Sequence, residues 1–248
     1  MKATAALLHS IGAPRPYAQS QPLVIDEVEL DPPGPGEVLV KIAAAGLCHS
    51  DLSVIDGNRP RPLPMALGHE AAGVVEEVGA GVTRFTPGDH VVMVFVPSCG
   101  LCGFCARGRP ALCEPGAAAN AAGTLLNGER RLHRHGQSIN HHLGVSAFAS
   151  HATLSQHSLV KIANDFDLTK AALFGCAVLT GVGAVVNSAK LPPGASAAVI
   201  GLGGVGLAAL LGAQLAGARQ VVAVDLSEEK LSFAKSLGAT HTVNAGDA

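Results

Sequence analysis

From Leu191 to Ala218 the chain reads LPPGASAAVIGLGGVGLAALLGAQLAGA, 28 residues without a single charge. A membrane-crossing helix needs only about 20 apolar residues, so length alone leaves two folds open. The seven glycines and the Pro192–Pro193 pair decide between them, because the glycines form a motif rather than a scatter. Gly201, Gly203 and Gly206 spell G-x-G-x-x-G where the strand-like SAAVIGL gives way to the helix-like GGVGLAALLGAQLAG. The pattern predicts a buried strand, a tight glycine turn and an apolar helix in a parallel sheet, whose strands are covered on both faces and so lack polar alternation.

The residues that follow narrow this further. A second strand, QVVAVD, ends in Asp225, nineteen positions after Gly206, where a dinucleotide fingerprint places its acidic residue. In that fingerprint the first glycine permits the tight turn, the second lets backbone approach a pyrophosphate, and the third lets helix and strand pack closely. The pyrophosphate then meets the free N–H groups at the helix start. A carboxylate at Asp225 would accept hydrogen bonds from the ribose and repel a 2′-phosphate, which favours NAD over NADP. The cofactor-binding candidates on this stretch are Gly201, Gly203, Gly204, Val205, Gly206, Asp225 and Lys230.

The rest of the chain has a different texture. Before about residue 160, strand-like runs (LVIDEVEL, EVLVKIAAAG, AAGVVEEVG, DHVVMVFV, SLVKIA) alternate with turn chemistry such as DPPGPGE and TPGD, which predicts a largely antiparallel or barrel-like β domain. TKAALFGCAVLTGVGAVVNSA then reads as helical, followed by β-α-β-α-β. With 248 residues there is room for two domains, expected at 1–175 and 176–248. Lys and Arg number 17 against 19 Asp and Glu, for a formal net charge of −2, so neither nucleic acid nor an acidic membrane finds a basic surface. MKATAALLHS offers too short an apolar run for a secretory signal, and the expected location is cytoplasmic, where thiols stay reduced.

That expectation bears on FVPSCGLCGFCARGRPALCEPG, where Cys99, Cys102, Cys105 and Cys113 fall within fifteen positions. The spacing C-x2-C-x2-C-x7-C is too dense for independent core thiols. It suits a closed tetrahedral zinc site; an iron–sulfur cluster, whose ferredoxin spacing closes differently, and disulfides or uncoordinated thiols are the alternatives. A site with four protein ligands has no position for substrate, so it stabilises a loop. Two cysteines remain, Cys48 in GLCHSDLSV and Cys176, together with His69 in ALGHEAAGVVEEVGAGV. Two thiolates and an imidazole are the ligand set of a zinc site with one open, reactive position.

Taken together these motifs resemble the zinc-dependent alcohol dehydrogenases of the medium-chain dehydrogenase/reductase superfamily. The family signature G-H-E-x2-G-x5-G-x2-V is present as Gly68-His69-Glu70, Gly73, Gly79 and Val82. The resemblance implies a GroES-like β-barrel catalytic domain followed by a doubly wound Rossmann domain, here incomplete. It implies catalytic zinc on Cys48, His69 and Cys176, structural zinc on the cysteine quartet, and NAD as cofactor. Ser50 matches the hydroxyl that takes the substrate proton, Asp51 and Glu70 the carboxylates behind the metal ligands, and His49 a basic residue at the pyrophosphate. Thr180 matches a residue beside the nicotinamide, and Phe95 one in the substrate channel.

The pattern also departs from the family. Where many relatives end their proton relay with a histidine, this chain has Ser53, leaving His49 or solvent for that role. The Cys113–Gly144 region resembles an extended loop over the substrate site, a form usually found in homodimers. The texture is nearest to the class III, formaldehyde-dehydrogenase type, yet its acidic loop is replaced by GNRPRPLP, with Arg59 and Arg61. Six histidines between His133 and His157 follow no ligand spacing and read as loop and strand residues. The nucleotide-binding half would continue beyond Ala248 for about a third of a family chain, so truncation is expected. The expected function is oxidation of a primary or secondary alcohol to an aldehyde or ketone. Alternatives are S-(hydroxymethyl)glutathione dehydrogenase-like activity and an inactive zinc-binding fragment.

Overall fold

The computed structural model describes residues 1–247. They form two compact units, one over Met1–Gly175 and the other from Cys176 onward.

The first unit is built from ten strands: β1 (Lys2–Leu8), β2 (Leu23–Leu30), β3 (Glu37–Ala45), β4 (Met65–Ala66), β5 (Ala71–Val78), β6 (His90–Met93), β7 (Leu132–Arg134), β8 (Gln137–His141), β9 (His151–Ser155) and β10 (Leu159–Lys161). β1, β2, β7, β8 and β4 close into a barrel, and β10-β6-β5-β3-β9 form a five-stranded antiparallel sheet. β1 and β2 pair antiparallel from Lys2↔Glu29 to Leu8↔Leu23. The strand period of two divides the core. Val38 and Val40 of β3 enter one cluster with Val75, Val91, Met93 and Leu154. Leu39, between them, enters the other with Leu7, Leu30, Leu132 and Ile139.

The β7–β8 hairpin is tied to this core by charge. Glu37, 2% exposed, accepts from Arg131 at Nε (2.8 Å) and at a terminal nitrogen (3.2 Å), from the Gly34 N–H and from Asn127. A buried carboxylate survives because every oxygen is satisfied, and the pairing holds the Arg131 guanidinium charged more firmly than usual. The Cys113–Gly144 segment, expected to be an extended loop, is therefore ordered. It carries the helix Glu114–Ala122, capped by Gly123 in the left-handed conformation, and then the hairpin.

The second unit holds three parallel strands in the order β11 (Ser196–Ile200), β12 (Gln220–Asp225) and β13 (His241–Asn244). The helices Gly204–Leu215 and Glu228–Ser236 cross between them, and Leu202, Leu210, Ala213, Val221, Ala223 and Leu231 form the core. Burying a leucine such as Leu210 contributes about 2 kcal/mol. Among the described residues no single helix is long and apolar enough to cross a bilayer.

One element differs from expectation. The run from Thr169 to Ala189 is not one helix. Leu168–Ala171 is α-helical, Ala172–Gly175 tightens to 3-10, and Cys176 breaks the chain at φ −136, ψ −75. A helix resumes over Ala177–Gly183 and loosens to π-type over Ala184–Ala189. Apolar periodicity continues through the break, so sequence does not announce it. What interrupts the helix is close packing: a Cβ on Gly175 would stand 1.9 Å from the carbonyl oxygen of Met93.

Candidate functional site

Three places carry chemistry. The first is the cysteine lobe. Cys102 precedes the short helix Gly103–Ala106, and Cys113 caps the helix Glu114–Ala122 with its sulfur accepting the Gly116 N–H. All four Sγ atoms lie within 4.8 Å of one another. Sulfurs bound to one zinc at ~2.3 Å must stand about 3.8 Å apart, and a four-iron cluster would hold them farther apart than this lobe does. The four are free thiols, not disulfides. Backbone N–H groups already point at the sulfurs: Cys99 to Cys113 Sγ (3.2 Å), Cys102 to Cys99 Sγ (3.2 Å) and Leu101 to Cys99 Sγ (3.4 Å).

The thiols are driven apart in acidity. The Cys105 and Glu114 N–H groups pull Cys102 down to about 6, while desolvation and then the Cys102 sulfur push Cys105 up to about 12. Four crowded thiolates cannot coexist without a cation, and a divalent metal would remove that conflict and release the protons.

The second place lies where β3 leaves the sheet. Cys48 is the N-cap of the helix His49–Ile55, and the third helical residue, Asp51, accepts the Cys48 N–H at 3.3 Å. Asp51 is thus a helix cap, but only one of its oxygens does that work. Oδ1 accepts from Gly68 N (3.2 Å) and His69 Nδ1 (3.0 Å) and stands 3.1 Å from His142 Nδ1. Burial alone would raise the Asp51 pKa; contacts with His142 and His69 outweigh it and hold the carboxyl well below the usual range. For Cys48, burial pushes the thiol up, and hydrogen bonds from the Ser50 N–H and hydroxyl, with His69 beside it, bring it below its ordinary value. Ligand atoms of Cys48 and His69 lie within 4.8 Å of each other. Since Nδ1 of His69 serves Asp51, Nε2 is left to meet a metal, the arrangement in which a carboxylate fixes tautomer and ring angle.

Gly68 makes this possible. Its φ is +89°, and a Cβ would reach 2.4 Å from the Phe148 nitrogen, so no other residue fits before His69. Glu70 is buried with its side chain against Gly46. Phe95 stacks edge-on to His69 at 5.7 Å. His49 is exposed, with Nδ1 3.3 Å from Ser53 Oγ. Arg61 is half-buried and donates to the Asn120 carbonyl (3.2 Å), while Arg59 is exposed.

The third place is the nucleotide turn of the second unit. Gly201 has φ +89°, and a Cβ on Gly206 would collide with its carbonyl oxygen at 1.8 Å. Gly203 caps the helix Gly204–Leu215, and Val205 is exposed at its start. Asp225 Oδ2 accepts the Leu202 N–H (2.7 Å) and Oδ1 the Ser227 N–H (3.0 Å), which hold its pKa below the usual value; Lys230 lies 3.9 Å away. Cys176 opens this unit, and its carbonyl accepts the N–H of Thr180, an exposed residue on the following helix.

The domain family "Alcohol dehydrogenase GroES-like domain" matches residues 34–164, and "Zinc-binding dehydrogenase" matches 204–248. The chain belongs to the zinc-dependent alcohol dehydrogenase family. It is 42% identical over its whole length to the S-(hydroxymethyl)glutathione dehydrogenase of Synechocystis sp., of which it covers 65%. An alcohol dehydrogenase zinc-binding domain protein from Burkholderia ambifaria superposes at TM-score 0.92 with 38% identity, the chain covering 65% of it. Benzyl alcohol dehydrogenase from Acinetobacter calcoaceticus gives 0.89 and 36%, again over 100% of this chain and 65% of that one. The chain spans 63–65% of the length of the curated relatives it matches.

Within this alcohol dehydrogenase fold, one site-adjacent residue escapes sequence reasoning. His142, one of the six histidines that read as loop and strand residues, does lie in the loop just after β8, but it is 1% exposed and its ring stands edge-on to His69 at 5.4 Å. The adjacent His141 is also buried, its pKa pushed down to about 3 by burial and then by Arg130 and Arg131. The sequence signal for either was slight: two adjacent histidines in the polar run QSINHHLG.

Proposed function

We propose that this chain carries the zinc- and NAD-binding machinery of an alcohol dehydrogenase that oxidises primary or secondary alcohols. The observation that carries the reading is Asp51: one carboxylate caps the helix beginning after Cys48 and orients His69, aligning two metal donors from separate elements. Cys176 completes the ligand set. It follows Gly175, whose packing on Met93 pins the end of the first unit, and the helix break leaves Cys176 outside any regular helix. When bound, zinc supplies Lewis-acid activation of the alcohol and NAD accepts the hydride.

The chain's own residues do the rest. Ser50 holds a hydroxyl two positions from Cys48, able to accept the alcohol proton while donating its own. His49, with its Nδ1 beside Ser53 Oγ, gives that proton a polar outlet to solvent. Thr180 and the glycine turn (Gly201, Gly203, Gly204, Val205, Gly206) position the nicotinamide and pyrophosphate ends of the cofactor. Asp225 and Lys230 serve the ribose, and the carboxylate disfavours a 2′-phosphate. Glu70, buried beside His69 in sequence and packed against Gly46, tunes the metal's surroundings. Cys99, Cys102, Cys105 and Cys113 hold a second, structural zinc. A cytoplasmic setting suits the four free thiols of the lobe, and a full-length homodimer follows from the family resemblance.

A second substrate reading, S-(hydroxymethyl)glutathione, is favoured by the 42% identical relative of that name. The test is metal analysis followed by NADH absorbance over a panel of alcohols that includes this adduct. Two zinc ions per chain and NAD reduction are expected. If the zinc-loaded chain and the full-length gene product both reduce no NAD, the enzyme reading falls and a zinc-binding fragment remains.

A further inference from the structure

The residue pair Asp51–His69 has a third member. His142 Nδ1 lies 3.1 Å from Asp51 Oδ1, off the line of a straight hydrogen bond, and has no other partner among the described residues. Its ring meets His69 edge-on at 5.4 Å with an interplanar angle of 90°. Asp51, His69 and His142 are all buried, and their donor atoms fall within 4.8 Å of one another. Asp51 Oδ1 already accepts the Gly68 and His69 N–H groups, so the oxygen that His142 approaches is the one that orients His69.

The backbone goes to some cost to place this ring. After β8 the chain turns back through Leu143 (φ 53), Gly144 (φ 68) and Ser146 (φ 55), and only the glycine adopts that region freely. Ser146 Oγ accepts the His142 N–H (3.0 Å), and the Val145 and Ser146 N–H groups return to the His142 carbonyl (3.0 and 3.2 Å). Immediately afterwards Ala147 N bonds Gly68 O (3.0 Å) and Phe148 N bonds Leu67 O (2.9 Å), stapling the turn to the backbone that leads into His69. Two non-glycine residues in left-handed conformations beside a buried imidazole nitrogen without an aligned partner are a strained arrangement. Strain of that kind persists where the surrounding structure imposes it, and here it delivers one side chain to one carboxylate.

We propose that His142 is a positioning residue for the metal-binding imidazole. Its ring edge meets the Asp51 oxygen that the helix cap leaves free, and so helps fix the carboxylate that holds His69 for Nε2 coordination. The inference rests on reading His69 as a zinc ligand. A neutral imidazole suffices for the role, because an N–H edge attracts a buried carboxylate without a formal charge.

The test is zinc affinity of the 248-residue chain, followed with a chromogenic chelator, with Cys48→Ser marking which zinc belongs to the buried site. His142→Phe keeps a ring edge-on to His69 and removes both nitrogens, and His142→Gln restores a donor without the ring. We expect His142→Phe to weaken the buried-site zinc about 10–100-fold and to shift the visible absorption of the cobalt-substituted site. His142→Gln should recover most of the affinity, and the cysteine lobe should hold its zinc unchanged in every variant. Wild-type zinc affinity and cobalt spectrum in His142→Phe would overturn the proposal while leaving His69 a ligand. Should His142→Phe not fold, His142→Met serves in its place, and equal affinity in the Met and Gln variants overturns the proposal. A wild-type chain holding only the lobe's zinc would overturn the ligand reading and this role together.

Discussion

The cysteine lobe and the Cys48–His69 cluster offer candidate metal donors in opposite settings. The lobe takes its four sulfurs from one fifteen-residue segment, and three of them are only partly buried. Little apolar packing surrounds it: Leu101, at its centre, is 90% exposed. The cluster draws Cys48 from a helix cap and His69 from beyond Gly68, and sinks His69 to 1% exposure behind Asp51 and His142. In the lobe the sulfurs are gathered by backbone N–H groups with little side-chain packing behind them. In the cluster the protein has assembled the geometry beforehand, from a cap, a strained turn and a glycine no other residue can replace. The two candidate metal sites therefore differ in side-chain environment before any ion is considered.

The largest effect that could break this contrast is metal removal. A strong chelator should expose residues 99–113 to proteolysis while β1–β6 stay protected, because structural zinc contributes on the order of 10 kcal/mol to local folding. Limited proteolysis read by mass spectrometry checks it, and cuts spread evenly through the first unit would erase the distinction. Next in size, Asp51→Ala removes both the cap and the His69 orientation. Zinc affinity at the buried site should fall about 10–100-fold with the lobe's affinity unchanged, as metal competition would show.

Acid should act on the buried side. His141 is held neutral in the fold, its pKa about 3, whereas an unfolded histidine titrates near 6.5. Above about pH 6.5 neither state takes the proton and stability is full. As pH falls toward 3 only the unfolded chain is protonated, so stability is lost, by about 2 kcal/mol at pH 5. His141→Gln, which cannot titrate, should flatten that slope in urea titrations at pH 7 and pH 5. The smallest effect sharpens the picture from the other side. Leu101→Ser should change stability by less than about 0.5 kcal/mol, since the lobe gains nothing from burying that side chain.

The two regions were also unequally legible. Spacing within fifteen residues is visible to the eye, and so is G-x-G-x-x-G followed by an acid, because strand, turn and helix are contiguous in both. Strands could be read as apolar runs between Gly- and Pro-rich turns, but not which core each side chain enters: Val38 and Val40 of β3 go to one, Leu39 to the other. What sequence hid were contacts set by distant backbone. His142 meets Asp51 across 91 positions by way of a turn whose left-handed residues, Leu143 and Ser146, carry no propensity for it. Cys176 breaks an apolar run whose periodicity continues, because Gly175 has to pack against Met93. The Cys113–Gly144 segment looked like loop because the Glu37–Arg131 pair that organises it joins residues 94 apart.

The separation of roles is tested most directly by comparing Cys105→Ser with Cys48→Ser in thermal melting, each with its zinc content measured. Both variants should lose one zinc ion per chain. Cys105→Ser should melt far below wild type, while Cys48→Ser, in which serine still caps the helix, should melt close to it. Equal losses of melting temperature would contradict the account.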